Sequence, residues 1–147
     1  MPGELHIRSF EDRDGDEVVQ LWRHCRLITP WNDPYRDIAR KKAVDPELFL
    51  VGLVEGVLVA TVMAGYEGHR GWINYLAVAK TARRCGYGSQ MMAAAEKLLR
   101  TRGCPKINLL VRRTNGETAG FYASLGFSQD EVISLGKRLE SDECQSG

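Results

Sequence analysis

The stretch Arg83-Arg84-Cys85-Gly86-Tyr87-Gly88-Ser89 sets two guanidinium groups and two closely spaced glycines directly ahead of a segment, Met91 to Leu99, whose apolar residues recur at helical spacing. That combination suits an anion. The first N–H groups of a helix have no partner within it, and the aligned peptide dipoles make that end positive. Glycine lets backbone come close to a ligand, and arginine adds permanent charge with a donor geometry matched to phosphate. The ligand class implied is a diphosphate. A Walker A loop requires G-x-x-x-x-G-K-[ST], which is absent. The dinucleotide fingerprint requires G-x-G-x-x-G, whereas Gly88 is followed by Ser89, Gln90 and Met91. What remains is R-x-x-G-x-G from Arg83 to Gly88, which by itself also describes a glycine-capped basic turn with no ligand.

The elements that must position this loop can be read from periodicity. Leu5 to Phe10 alternates apolar and polar residues as a half-buried strand does, and Val18, Leu21, Trp22 and Cys25 then fall on one helical face. Asp33-Pro34 is a helix start, predicting a short helix over Tyr35 to Ala43 behind the loop "TPWNDP". The β-rich runs "LFLVGLV" and "VLVATVMAGY", flanking Glu55-Gly56, read as an antiparallel hairpin, and "WINYLAV" (Trp72 to Val78) as a further strand. The helix that follows ends at Arg100, Arg102, Gly103 and Pro105. "KINLLV" is the next strand, a short helix covers Thr118 to Leu125, and "VISLGKRL" (Val132 to Leu139) reads as a last strand. The order β-α-α-β-β-β-α-β-α-β predicts an α/β (α+β) fold, a mixed central sheet flanked by helices. An exposed edge at the last strand would either pair two copies in a homodimer or be kept single by its polar residues.

The 147 residues fit a single domain, 1–147. A net charge of +1, with 44% hydrophobic and 27% charged residues, gives no bulk attraction to nucleic acid or to a membrane surface. No signal-peptide core and no run of apolar residues of membrane-spanning length is present, which points to the cytoplasm. Cys25, Cys85, Cys104 and Cys144 form no C-x-x-C pair, and His6, His24 and His69 are scattered. The pattern implies neither disulfides nor a metal site.

R-x-x-G-x-G after a strand ending "YLAV" and before an apolar helix resembles the acetyl-CoA-binding motif of the GCN5-related N-acetyltransferase (GNAT) superfamily. "FYASLGF" (Phe121 to Phe127) resembles the superfamily's closing motif, and the likeness extends over nearly the whole chain. "WNDP", "GHRG", "RGCPKI" and "SLGKRL" are similar to a small bacterial branch, YpeA-like. This chain has Arg84 and Cys85 where that branch carries glycine and arginine, so Arg84 need do no more than reach solvent, and Arg83, Gly86 and Gly88 are unaffected.

The resemblance implies a single GNAT-like domain that transfers acetyl from acetyl-CoA to an amine acceptor it does not identify. The backbone from Arg84 through Cys85, Gly86, Tyr87 and Gly88 to Ser89 would hold the pyrophosphate, with Arg83 as the motif's basic residue. Leu76, Ala77 and Val78 would pair with the pantetheine arm as if with another strand. A backbone N–H near Leu76 would polarise the acetyl carbonyl, beside a splay between this strand and "KINLLV". Tyr122 corresponds to the tyrosine that protonates the leaving thiolate; the alternative is a structural tyrosine. Asn115 is similar to the asparagine that bonds the pantetheine arm, and reads equally as a helix-start residue. Glu67 and His69 stand where the family often places its general base, and read as turn residues otherwise. Trp31, Asn32 and Asp33 fall in the loop that shapes the acceptor pocket. A module that binds CoA or acyl-CoA without turnover is the competing reading, and Tyr122 argues against it.

Overall fold

The computed structural model describes residues 3–143. Strands β1 (His6–Ser9), β2 (Phe49–Val54), β3 (Val57–Tyr66), β4 (Gly71–Val78) and β5 (Ile107–Leu109) form one sheet in the order β1-β2-β3-β4-β5. The first four are successively antiparallel, and β5 is parallel to β4. Helices α1 (Gly15–His24) and α2 (Pro34–Val44) separate β1 from β2. Helix α3 (Tyr87–Thr101) makes the crossover from β4 to β5, and α4 (Gly116–Ser124) follows.

Local chemistry accounts for most boundaries. Asp33 caps α2, its side chain accepting from the N–H groups of Tyr35 and Arg36, with Pro34 at the first helical position. Glu55 and Gly56 both take positive φ, as a two-residue hairpin turn requires. The sheet is covered on both faces. On one, Met91, Ala95 and Leu99 of α3 bury against Leu50, Ala60, Val62, Ala64 and Ile73. On the other, Val18 and Trp22 of α1 and Ile38 of α2 bury against Phe49, Val51, Met63 and Ala77.

The predicted last strand does not form. Residues 132–139 carry no strand, and Val132, Ile133, Leu135 and Leu139 are 76–91% exposed. Alternating apolar residues pay for ordering only where a neighbouring strand pairs with them. The three-residue β5 offers little, and "KINLLV" is ordered as strand only over Ile107–Leu109. The chain beyond α4 is instead tied by polar contacts. Asp130 accepts from Lys106 and from Asn108 of β5, and Asp142 is held by Arg40 of α2. Cys144 lies outside the described residues.

Candidate active site

The sheet opens along one seam. Gly71, Trp72 and Ile73 of β4 pair with Ile107, Asn108 and Leu109, and from Asn74 onward β4 has no β5 partner. A strand of eight residues beside one of three leaves its far half as a free edge, at the place where the resemblance implies a splay. In the same half, Thr61 of β3 stands opposite Ala77 and Met63 opposite Asn74. Tyr75 and Leu76 therefore both face the single residue Val62, which is a β-bulge in β4. Tyr75 takes φ of +51°, a conformation uncommon for a bulky residue. The extra residue breaks the alternation: Ile73 packs toward α3, yet Tyr75, two residues on, packs with Ala77 toward α1 and α2, and Leu76 and Val78 pack toward α3.

The glycine-rich loop lies just past the end of this free edge. Arg84 (φ +63°) and Gly86 (φ +80°) are left-handed, which turns the chain sharply into α3. Gly86 is the N-cap and supplies no side-chain cap, and Gln90 is the first residue to donate back, to the Gly86 carbonyl at 3.1 Å. Ahead of it lie the N–H groups from Cys85 to Ser89. The two glycines serve different ends. A Cβ on Gly86 would meet nothing within 4 Å, so its role is the backbone angle and open space. One on Gly88 would stand 3.3 Å from Cζ of Phe121, so Gly88 lets α4 pack against α3. Arg83 is exposed, and its Nε donates to the Val78 carbonyl at 3.2 Å, which holds the guanidinium over the end of β4. Arg84 is exposed and Cys85 half-buried. Tyr87 contributes only backbone here, because its buried ring sends the hydroxyl to the Gly3 carbonyl at 2.6 Å.

Tyr122 of α4 is 9% exposed, in the apolar cluster against which Leu76, Val78 and Phe121 pack. The rings of Phe121 and Phe127 meet it edge-on, with centroids at 5.2 and 5.7 Å. Burial raises its phenol above the ordinary value of about 10, and no hydrogen bond among the described residues involves its hydroxyl. A proton held on an unengaged phenol is what an acid requires. Asn115 caps α4, its side-chain oxygen accepting from the Thr118 N–H at 3.2 Å while its amide nitrogen makes no hydrogen bond among the described residues.

Glu67 and His69 are not brought into this arrangement. They form the turn from β3 to β4, at the end of β4 remote from Val78. The Glu67 carboxylate accepts from the N–H of His69 at 2.9 Å and from that of Arg70, which locks the turn. From Gly71 to Leu76 is about 16 Å along the strand, and the closed β4–β5 pairs lie in between. At the other side of the opening, the guanidinium of Arg112, past β5, lies 5.8 Å from the centre of the Trp31 ring, joining the loops after α1 and β5.

Sequence reasoning missed the bulge's support and the Asp142 anchor. Each joins residues far apart in the chain, and no local signal marks either.

A family profile described as the Acetyltransferase (GNAT) family matches residues 15–127. An acetyltransferase of Yersinia enterocolitica is 47% identical over 139 residues, spanning 95% of this chain and 99% of its own length. Among solved structures, Ard1 from Thermoplasma volcanium superposes with a TM-score of 0.73 at 28% identity, covering 89% of this chain and 84% of that one. A predicted acetyltransferase from Clostridium acetobutylicum, solved with acetyl-CoA, superposes with a TM-score of 0.70 at 18% identity, covering 90% and 96%.

Proposed function

The chain belongs to the acetyltransferase (GNAT) family, and from that premise we propose that it moves the acetyl group of acetyl-CoA directly to an amine held beside it in a ternary complex. The observation that carries the reading is the free half-edge of β4, which runs from the bulge at Tyr75 and Leu76 to the N–H-rich loop at Gly86. A chain of amides ending in a diphosphate fits that line of donors and acceptors better than any compact ligand does.

In this reading the backbone from Arg84 to Ser89 holds the pyrophosphate and Arg83 adds charge. The edge at Leu76, Ala77 and Val78 bonds the pantetheine amides, and the side-chain amide of Asn115 serves the same arm. The Leu76 N–H, which the bulge exempts from regular pairing with β3, meets the carbonyl oxygen of the thioester. As the amine nitrogen forms its bond to the acyl carbon and the carbon–sulfur bond breaks, Tyr122 gives its proton to the departing sulfur. Glu67 is occupied in its turn, so the amine loses its proton to water.

Calorimetric titration with acetyl-CoA and CoA, set against ATP and NADPH, tests the binding. An amine screen read by thiol release tests the transfer. Binding of both CoA species, weakened in Arg83→Ala, with turnover on at least one amine, is the expected result. Folded protein that binds neither overturns the reading, and binding without turnover on any amine reduces it to a CoA-binding module.

A further inference from the structure

The bulge at Tyr75 and Leu76 places a bulky residue at positive φ, and such a conformation persists only where its surroundings over-determine it. Three contacts do so. The Thr61 hydroxyl, fully buried, donates to the Tyr75 carbonyl at 2.8 Å and accepts from Trp22 Nε1 at 2.9 Å, so its one proton and its acceptor capacity are both engaged. The Tyr75 ring stacks on the Trp22 indole with centroids 3.8 Å apart and planes inclined by 12°. The Tyr75 hydroxyl donates to Asp37 Oδ2 at 2.6 Å. Asp37 is in turn held by Arg40 at 3.2 Å, and Arg40 makes a two-pronged pair with Asp142 at 2.9 and 2.6 Å. Tyr75 is thus gripped at its carbonyl, its ring and its hydroxyl by β3, α1 and α2.

We propose that Thr61, Trp22 and Asp37 are positioning residues for acetyl transfer, holding Tyr75 in its bulged conformation so that the Leu76 N–H points at the thioester carbonyl. This rests on the acetyl-CoA reading above. None of the three touches the reacting atoms. A bulge held only by packing would tolerate loss of the Thr61 hydroxyl, because valine has the same shape. A bulge held by the Thr61–Tyr75 bond relaxes toward regular pairing, and the donor swings away. Misplacement of a transition-state donor by about 1 Å costs on the order of a hundredfold in rate.

The test is the infrared carbonyl stretch of acetyl-CoA isotopically labelled at the acetyl carbonyl, bound to wild type, Thr61→Val, Thr61→Ser and Tyr75→Phe, with affinity measured alongside by calorimetry. A hydrogen bond from Leu76 lowers that frequency relative to free acetyl-CoA. Wild type and Thr61→Ser are expected to show the lowered frequency. Thr61→Val is expected to return most of the way to the free value, and Tyr75→Phe part of the way, with acetyl-CoA affinity within about threefold because the diphosphate loop is untouched. Thiol release should then fall about tenfold to a hundredfold in kcat for Thr61→Val with KM for acetyl-CoA unchanged. Should Thr61→Val fail to fold, Tyr75→Phe decides the matter, since it removes only the bond to Asp37. A folded Thr61→Val or Tyr75→Phe that keeps the full wild-type shift overturns the proposal, as does a wild type that binds acetyl-CoA with no shift. A wild type that binds no acetyl-CoA overturns the proposed function instead, and this inference with it.

Discussion

Replacing Tyr122 by phenylalanine separates the chemical role of its hydroxyl from the structural role of its ring. The ring is packed edge-on between Phe121 and Phe127 and is 9% exposed, so phenylalanine fills the same space. The hydroxyl makes no bond to protein among the described residues, so its removal strands no partner, and stability should stay within about 0.5 kcal/mol of wild type. Affinity for acetyl-CoA should also hold, because the diphosphate and pantetheine contacts are made by backbone groups and by the side chains of Arg83 and Asn115, not by the Tyr122 hydroxyl. The chemical step should not hold. A positioned acid contributes about a hundredfold to ten-thousandfold, or roughly 3 to 5 kcal/mol of barrier. Burial keeps the phenol protonated to beyond pH 10, so the defect should be uniform across neutral and mildly alkaline pH, with no alkaline limb owed to Tyr122 in wild type. The assay is single-turnover transfer to an amine that wild type uses, with quenched thiol release, so that product release does not mask chemistry. Thermal unfolding and calorimetry serve as controls. A variant within threefold of the wild-type single-turnover rate would refute the assignment and leave Tyr122 a packing residue.

Arg83→Ala should weaken CoA and acetyl-CoA alike by about tenfold to a hundredfold in calorimetry, the worth of one charge-assisted contact to phosphate, with little change in Tm. Gly86→Ala adds a side chain in open space at φ +80°, so the expected loss is about 1 to 2 kcal/mol of backbone strain, read in urea unfolding. Glu67→Gln should leave single-turnover transfer within about threefold of wild type; a loss above a hundredfold would reinstate Glu67 as the base. Asp14, 5% exposed, accepts from Arg8 at 2.7 and 2.9 Å and from the Glu11 N–H at 2.8 Å, and the Arg8 pairing holds its carboxyl below the ordinary value. A depressed folded pKa gives stability that is present above the unfolded value near 4 and is lost as pH falls through the folded one. Asp14→Asn should therefore lower Tm at pH 7 and flatten its decline on acidification, as calorimetric scans would show.

How much of this could be read from the chain depends on how far apart the cooperating residues lie. Asp33 and Pro34 begin α2 with bonds that reach two and three residues ahead, and Glu55-Gly56 sets the hairpin by its own φ angles, so neighbours alone reveal both. Arg83, Gly86 and Gly88 are similarly compact, because a loop that turns a strand into a helix must fit within a few positions. The family likeness supplied the chemistry for Tyr122, since nothing in "FYASLGF" by itself separates an acid from a core ring. Tyr75 was unreadable. Its bulge depends on Thr61, Trp22 and Asp37, which lie 14, 53 and 38 positions away, and tyrosine is no signal for positive φ. The segment 132–139 misled for the opposite reason. Its alternation satisfies the local rule for a strand, and only the shortness of β5 shows that no adequate partner is at hand.

Because the strands lie in the sheet in their order along the chain, the four antiparallel neighbours from β1 to β4 need no crossover between β2 and β4, and the Glu55-Gly56 turn can begin zipping them locally. The β4–β5 seam must wait for α3 to form and dock. It then gains only three residue pairs for a loop closure of more than thirty residues. The seam is thus the part of the sheet that forms with the smallest local reward, and native-state hydrogen exchange should find its amides opening ahead of those of β2 and β3. A ligand lying along the free half of β4 would supply the pairing the chain withholds there, so occupancy and completion of the sheet become one event. Slowed exchange in β4 and β5 on titration would report both together.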